Sequence, residues 1–283
     1  MSDCFFISDL HGHVDRFEKL FTLIRREHPA AVFMGGDFLP SFLHPNWSSR
    51  CFIQDFLAVE CRRLAGDLGP RYPALFIILG NDDGRRPEKE LLQEDYRGLW
   101  TYVHGRSVTW GRFRIFGYSF IPPSPYVLKD WERYDVSRYV DPGCVSPEEG
   151  MYSVPRSDHE KKYRTIQADL ENIRRGLLME HTIGLFHAPP YKSKLDRASL
   201  DDRHIDHVPL DVHIGSIAIA RFIQQHQPWI TLHGHVHEST RLTGIWHDRF
   251  SRTHAFNAAH DGPELALIRF DPDRPEDATR ELI

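Results

Sequence analysis

Residues 4–12 read CFFISDLHG, a short apolar run that ends in a polar loop. Apolar residues then recur with helical spacing, and we expect a helix that ends near Glu27. The next apolar runs, 31–34 and 75–79, end at Gly-Gly-Asp and Gly-Asn-Asp, with a second helical pattern at 52–64 between them. This β-α-β-α-β order, with strands that are apolar on both faces, predicts an α/β fold with a buried, largely parallel sheet.

The same patterns continue through the rest of the chain. We predict strands at 112–118, 182–186, 229–232 and 265–270, and helices at 164–179 and 216–225. We find no internal repeat and no linker, so we expect residues 1–283 to form a single domain. The regular pattern stops at about 121–157, which is rich in proline and aromatic residues and which we interpret as an ordered insert or cap. The charged tail from Asp271 is expected to be solvated.

The composition is that of a globular protein and excludes several function classes. The 283 residues are 41% hydrophobic and 27% charged, and the formal net charge of −5 does not indicate a nucleic-acid-binding surface. No apolar run approaches the length of a membrane span, so no membrane partner is expected. The first residues lack a basic, signal-like region, and four scattered cysteines favour a reducing compartment. We therefore expect a cytoplasmic protein; its oligomeric state leaves no mark in the sequence.

Several predicted strands end at a loop that carries potential metal ligands. These residues are Asp9, His11, Asp37, Asn81, His187, His235 and His237. The carboxyl ends of the strands of an open α/β sheet face one crevice, so the side chains should converge. Carboxylate and amide oxygens with imidazole nitrogens suit first-row ions such as Mn, Fe, Zn or Ni. Taken alone, most of these motifs are more typical of a turn, a helix cap or a packed histidine, and Gly234-His235-x-His237 fits either reading; the ordered series, however, predicts two ions about 3.5–4 Å apart.

The ordered set resembles the calcineurin-like metallophosphoesterase superfamily. Its motifs are Asp9-x-His11, Gly36-Asp37, Gly80-Asn81-Asp82, His187 and Gly234-His235-x-His237. The resemblance covers Cys4 to about Phe270 apart from the insert, and Gly215-Ser216 together with His237 to Ser239 resembles the small prokaryotic-type members. It implies a four-layer α/β/β/α sandwich of two mixed β-sheets with a dinuclear centre at one end. It also implies that a metal-bridging hydroxide hydrolyses a phosphate ester of a small molecule or nucleotide.

The resemblance further implies a role for each ligand. The first of two divalent or mixed-valence ions would be held by Asp9, His11 and His237. The second would be held by Asn81, His187 and His235. Asp37 would bridge the two ions.

One residue departs from the family's pattern. Asp82 occupies the place of the histidine in the usual Gly-Asn-His-Asp or Gly-Asn-His-Glu motif, where that histidine contacts the phosphate and protonates the leaving oxygen. An ionised carboxylate repels phosphate and donates no proton. Because a diester carries one negative charge less than a fully ionised monoester, we expect a phosphodiesterase rather than a monoesterase. The candidate catalytic residues are Asp82 and, as a replacement proton donor, His13, for which a solvent-facing position in the first helical turn is the alternative.

Two other functions are compatible with parts of the sequence. An amidohydrolase-type barrel would explain His11-Gly12-His13 but not Asp37 and Asn81 at successive strand ends. A non-catalytic metal-binding scaffold of the same fold would be favoured by Asp82 alone, and metal content together with an ester screen would discriminate. Within the insert, Tyr126, Trp131 and Tyr134 could stack on a ring of a substrate, although packing accounts for most such aromatics.

Overall fold

A computed structural model describes residues 3–41 and 51–283. Its strands are β1 (Cys4–Ile7), β2 (Ala31–Gly35), β3 (Ala74–Ile78), β4 (Thr101–Tyr102), β5 (Ser107–Trp110), β6 (Phe113–Tyr118), β7 (Thr182–Phe186), β8 (His204–Ile205), β9 (Val208–Pro209), β10 (Ile230–His233), β11 (His247–Phe250), β12 (Thr253–Asn257), β13 (Ala266–Asp271) and β14 (Arg274–Leu282). Its α-helices are α1 (Val14–Glu27), α2 (Ala58–Leu68, preceded by a π-helical turn at Phe52–Leu57), α3 (Glu88–Tyr96), α4 (Asp158–Tyr163), α5 (Ile166–Ile173), α6 (Ile217–His226) and α7 (Ser239–Thr243).

The strands form two large mixed sheets. The first has the order β14-β13-β1-β2-β3-β4 and the second has the order β11-β12-β10-β7-β6-β5. The strands from β1 to β4 are parallel, as are β12, β10, β7 and β6, whereas the outer strands β13, β14, β11 and β5 pair antiparallel. This topology confirms the predicted fold class and excludes the amidohydrolase-type barrel.

Alternation of side chains along the strands explains the layering. Phe6 of β1 lies in the apolar core between the two sheets, whereas Phe5 and Ile7 lie in the core that includes helix α1. Between the sheets, Phe256 of β12 meets Phe270 of β13 with ring centroids 5.7 Å apart. Each central strand is therefore covered on both faces, which is why its sequence is continuously apolar.

One strand was missed and one helix was predicted too long. The charged tail from Asp271 is exposed as expected, but it also forms β14, which pairs antiparallel with β13 along the sheet edge, for example Ala266 with Leu282. The side chains of β14 are mostly exposed and charged, as is common for edge strands that avoid aggregation. For this reason its composition resembles that of a solvated tail. The helix predicted at 164–179 ends at Ile173, before Gly176, which adopts a φ of +80°.

The 121–157 insert is packed on the core without regular strands or helices in its described residues. Short bridges join Ile121 to Glu132 and Leu128 to Met151, and the ring of Trp131 is fully buried. No α-helix in the described ranges is long and apolar enough to span a bilayer.

We expect the free energy of unfolding to fall in acid because of His104. Its Nδ1 accepts a hydrogen bond from the Ser119 backbone N–H at 3.0 Å. Burial, together with the positive charges of Arg85 and Arg133, lowers the pKa of His104 to about 3. The unfolded chain, with a pKa near 6.5, therefore takes up the proton first, so this contribution to stability is complete above pH 6.5 and falls toward pH 3. We expect a loss of about 2 kcal/mol from this group at pH 5.

His104→Gln should remove that dependence. Urea denaturation of wild type and variant at pH 7.5 and 5.0 measures it, since the comparison cancels any constant cost of the substitution. An equal fall in the free energy of unfolding for both proteins would contradict the assignment to His104.

Candidate metal centre

The loops that follow five strands meet at one edge of the sandwich. Strands β1, β2 and β3 end just before Asp9, Asp37 and Asn81, and strands β7 and β10 end before His187 and the histidine pair of the last motif. Within each sheet these strands run parallel, so their carboxyl ends point the same way.

One group of ligand atoms comes from Asp9, His11 and His237. His237 Nε2 lies 3.1 Å from Asp9 Oδ1 and 3.2 Å from His11 Nε2. One ligand atom from each of the three residues lies within 4.8 Å of the others. Asp9 is buried, whereas His11 and His237 are partly exposed, so the group opens toward solvent.

A second group comes from Asp37, His187 and His235, whose ligand atoms also lie within 4.8 Å of one another. His187 Nε2 is 3.2 Å from Asp37 Oδ2 and 3.0 Å from Asn81 Oδ1. Asp37 also forms a third such group with His11 and Asp82, so its carboxylate reaches ligands on both sides.

The orientation of His187 fits a cation at this site. Its Nδ1 is 2.8 Å from the carbonyl oxygen of Gly35, which can only accept, so Nδ1 carries the proton. Nε2 then faces the oxygens of Asp37 and Asn81, so a positive charge at this point, either a proton on Nε2 or a metal ion bound to its lone pair, would satisfy all three groups. The two Nε2 atoms of His11 and His237 likewise face each other, and this donor set suits first-row ions.

Protonation of these side chains follows from their burial and mutual charges. Burial opposes ionisation of Asp9, yet the hydrogen bond and charge of His237 hold its pKa well below the usual range. Burial also opposes protonation of His187, but the Asp37 carboxylate raises its pKa to about 10, and Asp9 similarly raises the pKa of His237 to about 9. A metal ion bound at these groups would therefore compete with protons.

The backbone is strained at four of the seven predicted ligands. Asp9, His11, Asp37 and His235 have φ values of +59°, +47°, +49° and +73°. Such conformations cost of order 1–3 kcal/mol each in residues other than glycine and cluster at functional sites. Arg16 braces the first loop, since its guanidinium donates to the carbonyl oxygens of Asp9 at 3.1 Å and Gly262 at 2.6 Å.

Asp82 lies at the mouth of the site, with 47% of its side chain exposed. Its backbone N–H donates to Asp37 Oδ1 at 2.8 Å, and its Oδ2 is 3.6 Å from His11 Nδ1. Partial burial and the Asp37 carboxylate raise the pKa of Asp82 above its ordinary value. The position thus presents a carboxyl group beside the metal ligands.

Sequence reasoning missed Asp83, which organises two of the ligand loops. Its buried carboxylate accepts hydrogen bonds from the backbone N–H groups of Gly80 and Leu39, both at 2.9 Å. It thereby ties the loop that carries Asn81 to the loop that carries Asp37. The only signal in the sequence was its place as the final residue of Gly-Asn-Asp-Asp.

His13 takes the position preceding helix α1, where it is exposed and its side chain does not cap the helix. It belongs to none of the three ligand groups found among residues 3–41 and 51–283. Its role as a proton donor therefore stays a prediction.

Comparisons with known proteins bear on the family and the fold of the chain. The model of the calcineurin-like phosphoesterase family matches residues 4–239. No curated protein gives a significant match. One solved structure aligns with a TM-score of 0.60 at 16% identity, covering 99% of this chain and 98% of its own.

Two further solved structures are similar over nearly the whole chain. The protein TT1561 of Thermus thermophilus aligns with a TM-score of 0.57 at 16% identity, covering 99% of this chain and 98% of its own. An archaeal phosphodiesterase aligns with a TM-score of 0.46 at 11% identity, covering 99% of both chains. At these identities the likeness concerns the fold, whereas the family model spans most of the chain. The chain belongs to the calcineurin-like phosphoesterase family, whose members are metal-dependent phosphoesterases.

Proposed function

We propose that this protein hydrolyses a phosphodiester at a dinuclear metal centre. In this proposal, Asp9, His11 and His237 hold one ion, Asn81, His187 and His235 hold the other, and Asp37 lies between them. The proposal rests on the position of Asp37, which belongs to two of the ligand groups. A carboxylate oxygen of Asp37 lies within 4.8 Å of a ligand atom of His11 in one group and of His187 and His235 in the other.

The residues of the chain position and polarise the reacting groups. Bound ions supply Lewis-acid polarisation of the phosphoryl group and activation of a water molecule. Two contacts position the residues proposed for the second ion. The carbonyl oxygen of Gly35 orients His187, and the carboxylate of Asp83 holds the backbone of Gly80, next to Asn81. Because the ligands come from rigid strand ends, little reorganisation is needed when an ester binds.

The preference for a diester rests on Asp82. Its carboxyl group lies 3.6 Å from His11 and is half exposed, so a phosphoryl group at the metals would lie near it. Asp9 and Asp37 already place two carboxylates there. A third acidic side chain disfavours a doubly charged monoester more than a singly charged diester. The family's usual histidine would have the opposite effect.

Asp82→His should therefore shift specificity toward monoesters. We expect the ratio of kcat/KM for bis(4-nitrophenyl) phosphate to that for 4-nitrophenyl phosphate to fall about tenfold, which corresponds to a modest change in charge interaction. The measurement is steady-state kinetics of metal-stripped protein reloaded with manganese, with cyclic nucleotides in the same screen.

Asp82→Asn serves as the matched control, because it removes the charge without supplying an imidazole. It should move the ratio in the same direction but less far. An unchanged ratio in both variants would remove the argument for a diester. Protein that binds no metal and hydrolyses no ester would instead support the scaffold alternative.

A further inference from the structure

Three apolar residues on two neighbouring segments of the insert have exposed side chains. Tyr126, Val127 and Met151 have 60%, 57% and 66% of their surfaces exposed, and we call these three residues the apolar rim. Their backbones are joined, since Met151 N–H donates to the Val127 carbonyl oxygen at 2.7 Å. Exposed apolar side chains on two joined segments can cover an apolar group of a ligand.

The apolar rim is attached directly to the loop that carries Asn81 and Asp82. The Arg85 backbone N–H, at the end of that loop, donates to Asp130 Oδ2 at 2.8 Å and to Ser153 Oγ at 3.1 Å. Asp130 and Ser153 follow the two segments of the apolar rim by only a few residues and are hydrogen-bonded to each other. The two segments that carry the rim are therefore anchored, through Asp130 and Ser153, to the loop that carries Asn81 and Asp82.

A buried polar network holds the segment that carries Tyr126. Lys129 and Glu132 form a fully buried ion pair, and Ser124 Oγ donates to Glu132 at 2.6 Å. The same Ser124 Oγ accepts from the backbone N–H of Tyr126 at 3.1 Å. The rim thus needs little ordering on binding, which favours affinity for a ligand.

The electrostatic surroundings of Tyr126 agree with this placement. Partial burial, followed by the negative charges of Asp82, Glu238 and Asp37, raises the pKa of the Tyr126 phenol. Two of these three carboxylates belong to the candidate metal centre, so the tyrosine lies within its field. The ring remains a neutral apolar surface at neutral pH.

We propose that the apolar rim binds an aromatic or similarly flat apolar ester group of the substrate while the phosphate lies at the metal centre. The inference rests on the proposed function and adds the class of ester. A tyrosine ring offers a face for stacking, and the flexible thioether of methionine adapts to the edge of such a group.

The test compares binding of diphenyl phosphate and dimethyl phosphate to the manganese-loaded protein by calorimetry. The two probes share the charged phosphate and differ only in their ester groups. We expect wild type to bind diphenyl phosphate about tenfold more tightly, and Tyr126→Ala and Met151→Ala each to reduce this ratio several-fold. Tyr126→Phe should keep the ratio, because it keeps the ring.

Leu178→Ala is the control, since Leu178 is 66% exposed but lies before β7 at the opposite end of the strand from His187. An unchanged ratio in Tyr126→Ala and Met151→Ala would overturn the inference, as would an equal loss in Tyr126→Phe. Turnover of bis(4-nitrophenyl) phosphate by wild type is measured separately. Turnover with unchanged ratios refutes the apolar rim alone, whereas no turnover and no binding of either probe refutes the proposed function and the inference with it.

Discussion

Asp37→Asn is expected to reduce turnover of bis(4-nitrophenyl) phosphate by roughly 10³-fold or more, because both ions would lose a shared anionic ligand. The Asp37 carboxylate accepts the Asp82 backbone N–H through Oδ1 and faces His187 Nε2 through Oδ2. An amide can supply one oxygen but not two, and it carries no charge to offset the cations. Metal content by mass spectrometry and kcat with manganese measure the two consequences.

Asp67→Asn is the matched control for Asp37→Asn. Asp67 has 55% of its side chain exposed on helix α2, where it pairs with Arg25 at 3.0 Å. Its replacement should leave metal content and kcat within a factor of two, as surface pairs contribute little. If Asp37→Asn retained two ions per chain and full turnover, the bridging role proposed for Asp37 would be wrong.

Gly80→Ala should abolish metal binding, although Gly80 is not itself a candidate ligand, because the added methyl group would displace the neighbouring ligands. A Cβ atom on Gly80 would lie 2.5 Å from His187 Cε1 and 2.6 Å from the Asp37 backbone nitrogen, and it would also clash with Asp37 Oδ1. Both neighbours are buried, and Asp37 has a strained backbone, so they cannot move freely. We expect at least about a hundredfold loss of kcat/KM, since small displacements of catalytic groups are costly.

Gly66→Ala provides the control for this substitution. Gly66 lies in helix α2 with nothing within 4 Å of an added Cβ, and alanine there should stabilise the helix by about 0.5–1 kcal/mol. Metal content, kcat/KM and the thermal midpoint of both variants distinguish the effects. Gly80→Ala with normal metal content would show that the ligand loops are more deformable than their contacts indicate.

The convergence of the ligands within each sheet was predictable because it depends on strand direction. Asp9, Asp37 and Asn81 follow consecutive parallel strands, and each strand is marked in the sequence by an apolar run that ends at a polar loop. Parallel strands place their carboxyl ends at one edge, so no knowledge of side-chain packing was required. The histidines after β7 and β10 obey the same rule in the second sheet.

Other features depend on contacts between residues that are distant in the chain. The charged sequence of β14 has no strand periodicity, and only its pairing with β13 makes it an edge strand. In the sequence, Asp83 looks like an ordinary turn residue. Only the structure shows that its carboxylate joins the loops of Gly80 and Leu39. The insert, likewise, shows its aromatic content in the sequence but not its attachment through Asp130 to the ligand loop.

The α/β class, the order of the seven candidate ligands and the unusual acid at Asp82 are readable from the chain, because each depends on local pattern and residue identity. The way the two sheets face each other depends instead on tertiary contacts, which bring Asp9 within 3.1 Å of His237 across 228 positions of sequence. Tertiary contacts also decide which nitrogen of His187 faces Asp37, since the carbonyl oxygen of Gly35 occupies the other. These distances and orientations arise from packing between remote segments, which no local pattern encodes.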